Sequence, residues 1–501
     1  MRNDESSTII RWDKPVLYAS ILIGALLRFF RLGHQSIWGD EALTLQVYTG
    51  GQDFAQVLSN IWQRAFHPPL YYLIAHYWYE LGTSELMLRF PSAVFGVAAI
   101  PVIYLLTRRL FGSGTAAISA LIVALSPFHV WYSQEARMYS LQALLILGSM
   151  FFFLRSWQTR RPMDIALYGL TTVLGLFTHM ATLSLVAAQG VFVLGAAVKD
   201  WRKNAFWIGA QALILLAFVP WMLHFLALHG GSWIGFEREA SLLHLGYGLY
   251  TFNVGYSLGP SVSALHYLSA RGAIQSYLPA IVLSTLVFGT LAALGLVSAY
   301  RANRFGFWFI LCHFSVPLVL ITAVSFLPGL SLNPRYLVVA IVPCWIILSL
   351  GVQVCARVRP ALVIPAAAAV LIALSLHNHY FEPAYAKQDM RAAVALVNEN
   401  ARPGDVIVIS SIELGGPFIY YFKRHDVPYF GYPPNAGLVD PDELPRDIAE
   451  MLSHKSRAWL ILGRTWSSDP DELIPAHFNR FYHPVERAQF PGVTVGCYQL
   501  H

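Results

Sequence analysis

Residues 15–45 read PVLYASILIGALLRFFRLGHQSIWGDEALTL, an apolar run that ends in two adjacent carboxylates. The apolar part, 15–31, suits a helix that crosses a hydrocarbon core of about 30 Å. Because no small-residue cleavage site follows it, we interpret it as a retained membrane span and not as a removed signal peptide. Asp40 and Glu41 come just after this span, at the head of a second helix-like run.

The whole chain has the composition of an integral membrane protein. Of its 501 residues, 56% are hydrophobic and only 12% are charged, and the mean hydropathy is +0.51. Soluble proteins carry about 25% charged residues. The net charge of +6 is explained by where Lys and Arg fall along the chain, so we predict no nucleic-acid partner. The four cysteines do not form a disulfide pattern, and no Gly-rich phosphate-binding motif indicates a cytosolic nucleotide site.

Eleven apolar segments predict an α-helical polytopic membrane protein with about 11 spans. The predicted spans are 15–31, 90–107, 114–132, 138–154, 163–179, 181–198, 204–227, 279–299, 305–327, 336–354 and 361–378. Six alternate connections hold two or three Lys or Arg each, whereas the opposite short connections offer little beyond Arg137 and Arg335. The positive-inside rule therefore predicts a multi-pass protein of the cytoplasmic (inner) membrane with a cytoplasmic N-terminus.

Three segments are predicted on the outer face: 32–89, 228–278 and the tail from 380. We divide the chain into a membrane domain, 1–379, and an extracytoplasmic α/β domain, 380–501, which is the tail. The first segment, 32–89, carries two amphipathic runs, at 54–63 and 70–81, which are typical of helices lying in the membrane interface. The second, 228–278, shows no clear period and is predicted to be a partly ordered loop. In the third, the tail, we predict helices at 390–398 and 443–452, strands at 406–410 and 459–463, and a terminal hairpin at 491–492.

Charged and polar motifs collect at the outer ends of these spans, and each also has a plain structural reading. Asp40 can cap a helix while Glu41 favours its dipole. Glu135 and Arg137 can pair with each other, and Arg335 can snorkel to the interface. Individually these readings are sufficient, but they do not explain why two acidic sites and two cations share one face. The motifs are Gly39-Asp40-Glu41, His67-Pro68-Pro69-Leu70-Tyr71-Tyr72, Ser133-Gln134-Glu135-Ala136-Arg137-Met138-Tyr139, His179, Asn333-Pro334-Arg335-Tyr336-Leu337, and Lys387 with Asp389 and Arg391.

In this ordered set of motifs, the chain resembles the lipid-dependent membrane glycosyltransferases of the GT-C fold, which are related to protein O-mannosyltransferases and to the lipid A aminoarabinose transferase. Arg89-Phe90-Pro91 at the start of the second span extends the resemblance. It covers essentially the whole spanning region and is weakest in the tail. It implies an inverting transfer of a sugar from a polyprenyl-phosphate donor to an acceptor on the outer face of the membrane.

The resemblance also implies roles for the motif residues. Asp40 is our preferred general base for the acceptor hydroxyl, with Glu41 as the other catalytic candidate. Arg137 and Arg335 suit a lipid phosphate, because a guanidinium binds phosphate oxygens in pairs. No cofactor is predicted with certainty, and a divalent metal between the acidic residues and His67 stays open because the spacing is not diagnostic. The predicted substrate-binding residues are His67, Tyr71, Glu135, Arg137, Tyr139, Arg335 and Tyr336.

Other functions remain open from the sequence. A lipid or glycan transporter or flippase would also be polytopic with few charges, but it is expected to place ionisable groups near mid-membrane. A ligase or polymerase of lipid-linked glycans would share the donor lipid and the topology. The acceptor, whether lipid A or lipopolysaccharide, another cell-envelope glycan or a protein, is not identified by any motif, and neither is the sugar.

Overall fold

The computed structural model describes residues 13–48, 53–64, 67–197, 201–229, 241–267, 270–327, 332–435 and 437–500. Within these ranges the protein is mostly helical, with a small sheet near the C-terminus. The α-helices are α1 Asp13–Phe29, α2 Gly39–Tyr48, α3 Phe54–Arg64, α4 Leu70–Tyr79, α5 Glu85–Phe111, α6 Ser113–Leu125, α7 Pro127–Ser133, α8 Tyr139–Thr159, α9 Pro162–Leu176, α10 Thr182–Ala197, α11 Trp201–His229, α12 Leu242–Val254, α13 Val262–Tyr267, α14 Ala270–Ala302, α15 Arg304–Ser325, α16 Val338–Cys355, α17 Val363–Phe381, α18 Met390–Asn400, α19 Ile412–Tyr421, α20 Leu444–Met451, α21 Thr465–Ser468 and α22 Leu473–Phe481. Short 3₁₀ turns lie at Pro334–Leu337, Arg359–Leu362 and Pro383–Tyr385.

Within these ranges, seven helical segments are long and apolar enough to cross a membrane, and the bent pair of α6 and α7 makes an eighth. Each of the eleven predicted spans has a helix at its position, but the count of eleven is not confirmed. Three of these helices are short, because α1 has 17 residues, α9 has 15 and α10 has 16. The seven are Glu85–Phe111, Tyr139–Thr159, Asn204–Leu228, Arg271–Ala302, Arg304–Ser325, Pro334–Cys355 and Arg359–Phe381.

The bend between α6 and α7 is 55° and has a clear chemical cause. Pro127 has no N–H to give to the carbonyl of Val123, so the helix ladder breaks there. The buried Arg28 of α1 replaces the missing donor, because its guanidinium donates to the carbonyls of Val123 and Ala124 at 2.9 and 3.1 Å. It also contacts Nδ1 of His129 at 2.8 Å. Arg28 therefore fixes the bent pair against the first span.

The segment between α1 and α5 contains the two helices expected from its amphipathic runs. In α3, Val57 and Ile61 are buried, whereas Phe54, Leu58 and Trp62 are exposed. Exposed apolar side chains in a row suit contact with lipid headgroups and acyl chains. The helical prediction is confirmed, while the placement of α3 in the membrane interface stays a prediction.

The segment after α11 is more regular than the sequence pattern indicates. The expected loop at 228–278 contains the 13-residue helix α12 and the shorter α13, while 230–240 and 268–269 lie outside the described residues. Ser241 and His244 close a reciprocal cap at the start of α12. The prediction of a partly ordered loop missed this helix, because it is apolar on several sides and has little 3.6-residue contrast to detect.

The C-terminal part contains a five-stranded sheet with the order β2-β1-β3-β5-β4. Strand β1 is parallel to both of its neighbours, β2 and β3, whereas β5 is antiparallel to β3 and to β4. The strands predicted at 406–410 and 459–463 and the terminal hairpin are confirmed; α19, β2 and α22 were missed. The strands are β1 Val406–Ile409, β2 Tyr429–Gly431, β3 Arg457–Leu462, β4 His483–Phe490 and β5 Val493–Gln499.

Polar contacts tie this C-terminal part to the segment that leads into α2. The hydroxyl of Tyr421 in α19 accepts the backbone N–H of Ile37 and donates to Glu85, both at 2.8 Å. The hydroxyl of Ser36 donates to Asp389 at 2.7 Å. The start of α2 is therefore held from both the helical bundle and the C-terminal domain.

Candidate active site

Asp40, in the first turn of α2, lies between two arginines that arrive from distant parts of the chain. Its Oδ2 is 2.6 Å from Nη1 of Arg335 and 4.0 Å from Nη2 of Arg137. Its side chain is 28% exposed. Burial raises the pKa of Asp40, but the charges of Arg335 and Arg137 outweigh it and hold that pKa below the usual value. Asp40 is therefore an ionised carboxylate that solutes can still reach.

Glu41 is next to Asp40 but has a different environment. Its carboxylate is fully buried and accepts two bonds of 2.8 Å from Arg89, together with the backbone N–H of Ala136 at 2.8 Å. Nζ of Lys387 lies 3.7 Å away. Although burial raises its pKa, these cations lower it to about 2. A carboxylate so occupied is a poor proton acceptor, so this geometry favours a structural role for Glu41 over the predicted catalytic one.

Arg137 and Arg335, which both lie beside Asp40, each keep a buried donor. Nε of both arginines has no hydrogen-bond partner among the described residues. Arg137 is otherwise held by the carbonyl of Asp40 and the hydroxyl of Thr44, at 3.2 and 3.1 Å. Buried donors without partners are rare in proteins and call for an explanation. Two arginines with spare N–H groups beside one carboxylate suit an anionic ligand.

Aromatic rings pack around the Arg335 guanidinium. Its carbon lies 5.9 Å from the ring centre of Tyr139 and 5.5 Å from that of Tyr336. The ring of His179 touches both tyrosines and lies 5.0 Å from the ring of His67. The structure thus brings four of the predicted substrate-binding residues, with His179, into one layer beside Asp40.

His67 and Tyr139 add further polar atoms to this layer. Nδ1 of His67, Nε2 of His179 and the hydroxyl of Tyr139 are buried without a hydrogen-bond partner among the described residues. Burial, with the nearby His179, Arg137 and Arg335, keeps the pKa of His67 well below the usual value, so its imidazole is neutral. A neutral imidazole can donate one hydrogen bond to a ligand without adding charge.

Tyr71 was predicted to bind substrate, but its hydroxyl is engaged by a neighbouring side chain, which favours a structural role. Its side chain is 1% exposed. Its hydroxyl lies 3.2 Å from Oγ of Ser92, which donates to the carbonyl of Arg137 at 3.1 Å. Tyr71 therefore supports the loop that carries Arg137.

Tyr71→Phe should change stability and not ligand binding. Loss of one buried hydrogen bond is expected to cost about 1 kcal/mol of unfolding free energy. Thermal unfolding of the purified protein measures this, with the exposed Tyr77→Phe of the same helix as control. A tenfold or larger loss of polyprenyl-phosphate binding in Tyr71→Phe would return Tyr71 to the binding site.

Glu135 has partners that the sequence did not suggest. The ion pair with Arg137, one of the alternatives left open by the sequence, is not formed; Glu135 accepts from Nε1 of Trp131 at 2.8 Å and lies 3.3 Å from Nζ of Lys387. The Glu135 carboxylate is thus already engaged by Trp131 and Lys387, which favours a structural role over the predicted substrate binding. Lys387, one of the charged residues that the sequence analysis names on the predicted outer face, is only 11% exposed and lies within the site. Its position after the last apolar segment, on the predicted outer face, was the available signal.

The C-terminal domain contributes a third arginine near Asp40. Arg464 follows β3, has a positive φ of 51°, and its charge helps to lower the pKa of Asp40. Its guanidinium pairs with Glu413 at 2.6 Å. Among the described residues, no group of three or more His, Cys, Asp or Glu side chains is arranged to hold a metal ion.

Sequence comparisons match parts of the chain. A family model described as dolichyl-phosphate-mannose-protein mannosyltransferase matches residues 66–224. An uncharacterized protein of Aquifex aeolicus (strain VF5) is 34% identical over 107 residues, which are 20% of this chain and 21% of that protein. The match thus spans about a fifth of the length of this curated relative.

Solved structures match nearly the whole chain at low identity. Archaeal oligosaccharyltransferase AglB from Archaeoglobus fulgidus, in complex with an inhibitory peptide and a dolichol-phosphate, gives a TM-score of 0.59 at 16% identity, covering 97% of this chain and 74% of AglB. ArnT from Cupriavidus metallidurans bound to undecaprenyl phosphate gives 0.59 at 14% identity, covering 96% of this chain and 97% of ArnT. The predicted resemblance is confirmed: this multi-pass membrane protein has the GT-C fold and is similar to the lipid-dependent membrane glycosyltransferases.

Proposed function

We propose that the protein is an inverting glycosyltransferase that moves a sugar from a polyprenyl phosphate to an acceptor at the outer face of the cytoplasmic membrane. The observation that carries this proposal is the reachable Asp40 carboxylate between Arg137 and Arg335, each with a buried N–H that lacks a partner among the described residues. A base and an anion site side by side are what transfer from a phosphate leaving group requires.

The arginines serve the leaving group. As the glycosidic bond breaks, negative charge grows on the polyprenyl phosphate, and the fixed guanidinium groups of Arg137 and Arg335 stabilise it. The neutral imidazole of His67 and the hydroxyl of Tyr139 are positioned to add neutral hydrogen bonds. Because the phosphate leaves as a stabilised anion, the reaction needs no separate acid.

Asp40 serves the acceptor. Its carboxylate accepts the proton as the acceptor hydroxyl attacks the anomeric carbon from the side opposite the phosphate, which inverts the configuration there. The donor phosphate competes with Asp40 for Arg335. Binding of the donor therefore weakens the ion pair at 2.6 Å and raises the basicity of Asp40 when it is needed.

The side of the membrane on which the site lies is inferred from the charges of the connections between helices. The helix ends that bear Asp40, Arg137 and Arg335 alternate along the chain with the ends that carry the Lys- and Arg-rich connections. The positive-inside rule then supports an outer-face site with the C-terminal domain, 380–501, on the same side. On that face, an activated sugar must arrive attached to a lipid.

A transfer assay tests the proposal. Membranes containing the protein are incubated with a set of radiolabelled polyprenyl-phosphate sugars, and label is followed into lipid A, glycan and protein fractions. Transfer that requires the protein, with inverted configuration in the product, supports the proposal and identifies the acceptor class. Label that crosses the membrane while still attached to its lipid would identify a transporter instead.

Arg335→Lys should lower transfer by about tenfold or more, because an ammonium keeps the charge but loses the planar fork that binds phosphate oxygens in pairs. The matched control is Arg271→Lys, at an exposed position in α14. Initial rates at saturating acceptor measure the effect. An unchanged rate would reduce Arg335 to an interface anchor.

A further inference from the structure

Lys387 lies in the segment between the last spanning helix and the C-terminal domain, just after the turn Pro383–Tyr385. Its ammonium is 3.3 Å from Oε1 of Glu135 and 3.7 Å from Oε2 of Glu41. It also lies 5.4 Å from the ring centre of Trp38. A lysine in the chain segment that enters the C-terminal domain therefore ends between two buried carboxylates of the membrane domain.

The two carboxylates depend on Lys387 to different degrees. Glu41 has a bidentate partner in Arg89. Glu135, in the part of the chain that the structure describes, has its one ion pair with Lys387. Removing one member of a buried ion pair leaves the other charge uncompensated, which is strongly unfavourable. Without Lys387, Glu135 must move towards water, take up a proton or draw in another cation.

Any such movement of Glu135 is transmitted to Arg137, which lies only two residues further along the chain. The backbone N–H of Ala136 is fixed by Glu41 at 2.8 Å, and the side chain of Arg137 reaches Thr44 and the carbonyl of Asp40. The loop that carries Arg137 is thus anchored by Glu41 at one residue and by Lys387, through Glu135, at the residue before it.

We propose that Lys387 is a positioning residue that holds Arg137 beside Asp40 through Glu135 and Glu41, so that binding of a polyprenyl phosphate depends on the segment entering the C-terminal domain. This inference rests on the proposed function. It assigns Lys387 no contact with the substrate.

The pH dependence follows from the charges that face Glu135. Burial raises its pKa, Lys387 opposes this rise, and Glu41 and Asp40 reinforce it. Arg89, Tyr132 and Tyr256 also face this carboxylate. In Lys387→Met the opposing charge is gone, so the pKa of Glu135 rises further. Polyprenyl-phosphate binding by Lys387→Met should therefore be close to that of wild type at low pH, where Glu135 is protonated and neutral. Binding should weaken as the pH rises through the pKa of Glu135.

The test measures undecaprenyl phosphate binding to the full-length protein in nanodiscs. Lys387→Met is expected to weaken binding about tenfold near pH 8 and about threefold or less near pH 5.5, relative to wild type at the same pH. Taking this ratio removes the titration of the phosphate itself. Lys387→Arg should bind within about threefold of wild type, since it keeps the charge.

A double variant and a matched control complete the test. Glu135→Gln combined with Lys387→Met should recover most of the binding at high pH, because no buried charge is left unpaired. Lys423→Met, which removes an exposed lysine of the same domain, should bind like wild type.

Three results would overturn the inference. The first is wild-type binding by Lys387→Met at high pH. The second is weakening that is equal at all pH values and is not rescued by Glu135→Gln, which would mean that Lys387 acts only on overall stability. The third is a wild-type protein that binds no undecaprenyl phosphate, in which case the proposed function fails together with the inference. In the first two cases wild-type binding leaves the proposed function standing.

Discussion

Asp40→Asn should retain the fold and lose transfer by about 10²–10⁴-fold, the usual contribution of a general base. Asparagine has nearly the same shape and can still accept a hydrogen bond from Arg335, but it cannot take the proton of the acceptor hydroxyl. The turnover rate with a labelled polyprenyl-phosphate sugar measures the loss. The matched control is Asp442→Asn, at an exposed position of the C-terminal domain.

The dependence of transfer on pH provides a second test of Asp40 as the general base. The arginines hold the pKa of Asp40 below its usual value in the donor-free protein, so kcat/KM, which reports the free enzyme, should fall only when the pH drops through that low value. A turnover rate in Asp40→Asn close to wild type, or an acidic limb unchanged by the substitution, would remove Asp40 as the base.

Arg89→Met should be the most destabilising single change in the site. Arg89 donates to both oxygens of Glu41 and to the carbonyls of Leu32, Gln35 and Ser36. Breaking a buried ion pair by removing one partner costs about 3–5 kcal/mol. The cost is expected as a lower unfolding midpoint of the protein in detergent.

Two further variants separate charge from packing. Arg108→Met removes an exposed arginine from the same helix and should leave the unfolding midpoint nearly unchanged. Adding Glu41→Gln to Arg89→Met should recover part of the loss, because the remaining amide is neutral. Equal stability of Arg89→Met and wild type would contradict the structural role assigned to Glu41.

The positions of the helices were largely predictable, because long apolar runs and cationic connections are local features of the sequence. The same is true of strands β1 and β3, each an apolar run beside a turn. The number of membrane-spanning helices was not predictable, since α9 and α10 are apolar but shorter than a full crossing of the membrane needs. Helix α12 was missed because its apolar residues do not alternate with polar ones at a helical period.

The site was predictable in its membership more than in its roles. Asp40 and Glu41 are adjacent and chemically alike, so nothing local distinguishes them. Successive residues of a helix point about 100° apart, and this rotation turns Glu41 towards Arg89 and Asp40 towards Arg335. The ion pairs of Lys387 were not predicted, because its partners are brought to it by tertiary packing, which a single sequence does not reveal.

The partners of the acidic pair also set the order in which the site can form during synthesis. Arg89 reaches Glu41 across 48 positions, whereas Arg335 reaches Asp40 across 295. A growing chain can therefore pair Glu41 with Arg89 once α5 has been made, whereas the pair of Asp40 with Arg335 needs the later turn Pro334–Leu337. A nascent protein can therefore pair Glu41 with Arg89 long before Arg335 is available to Asp40.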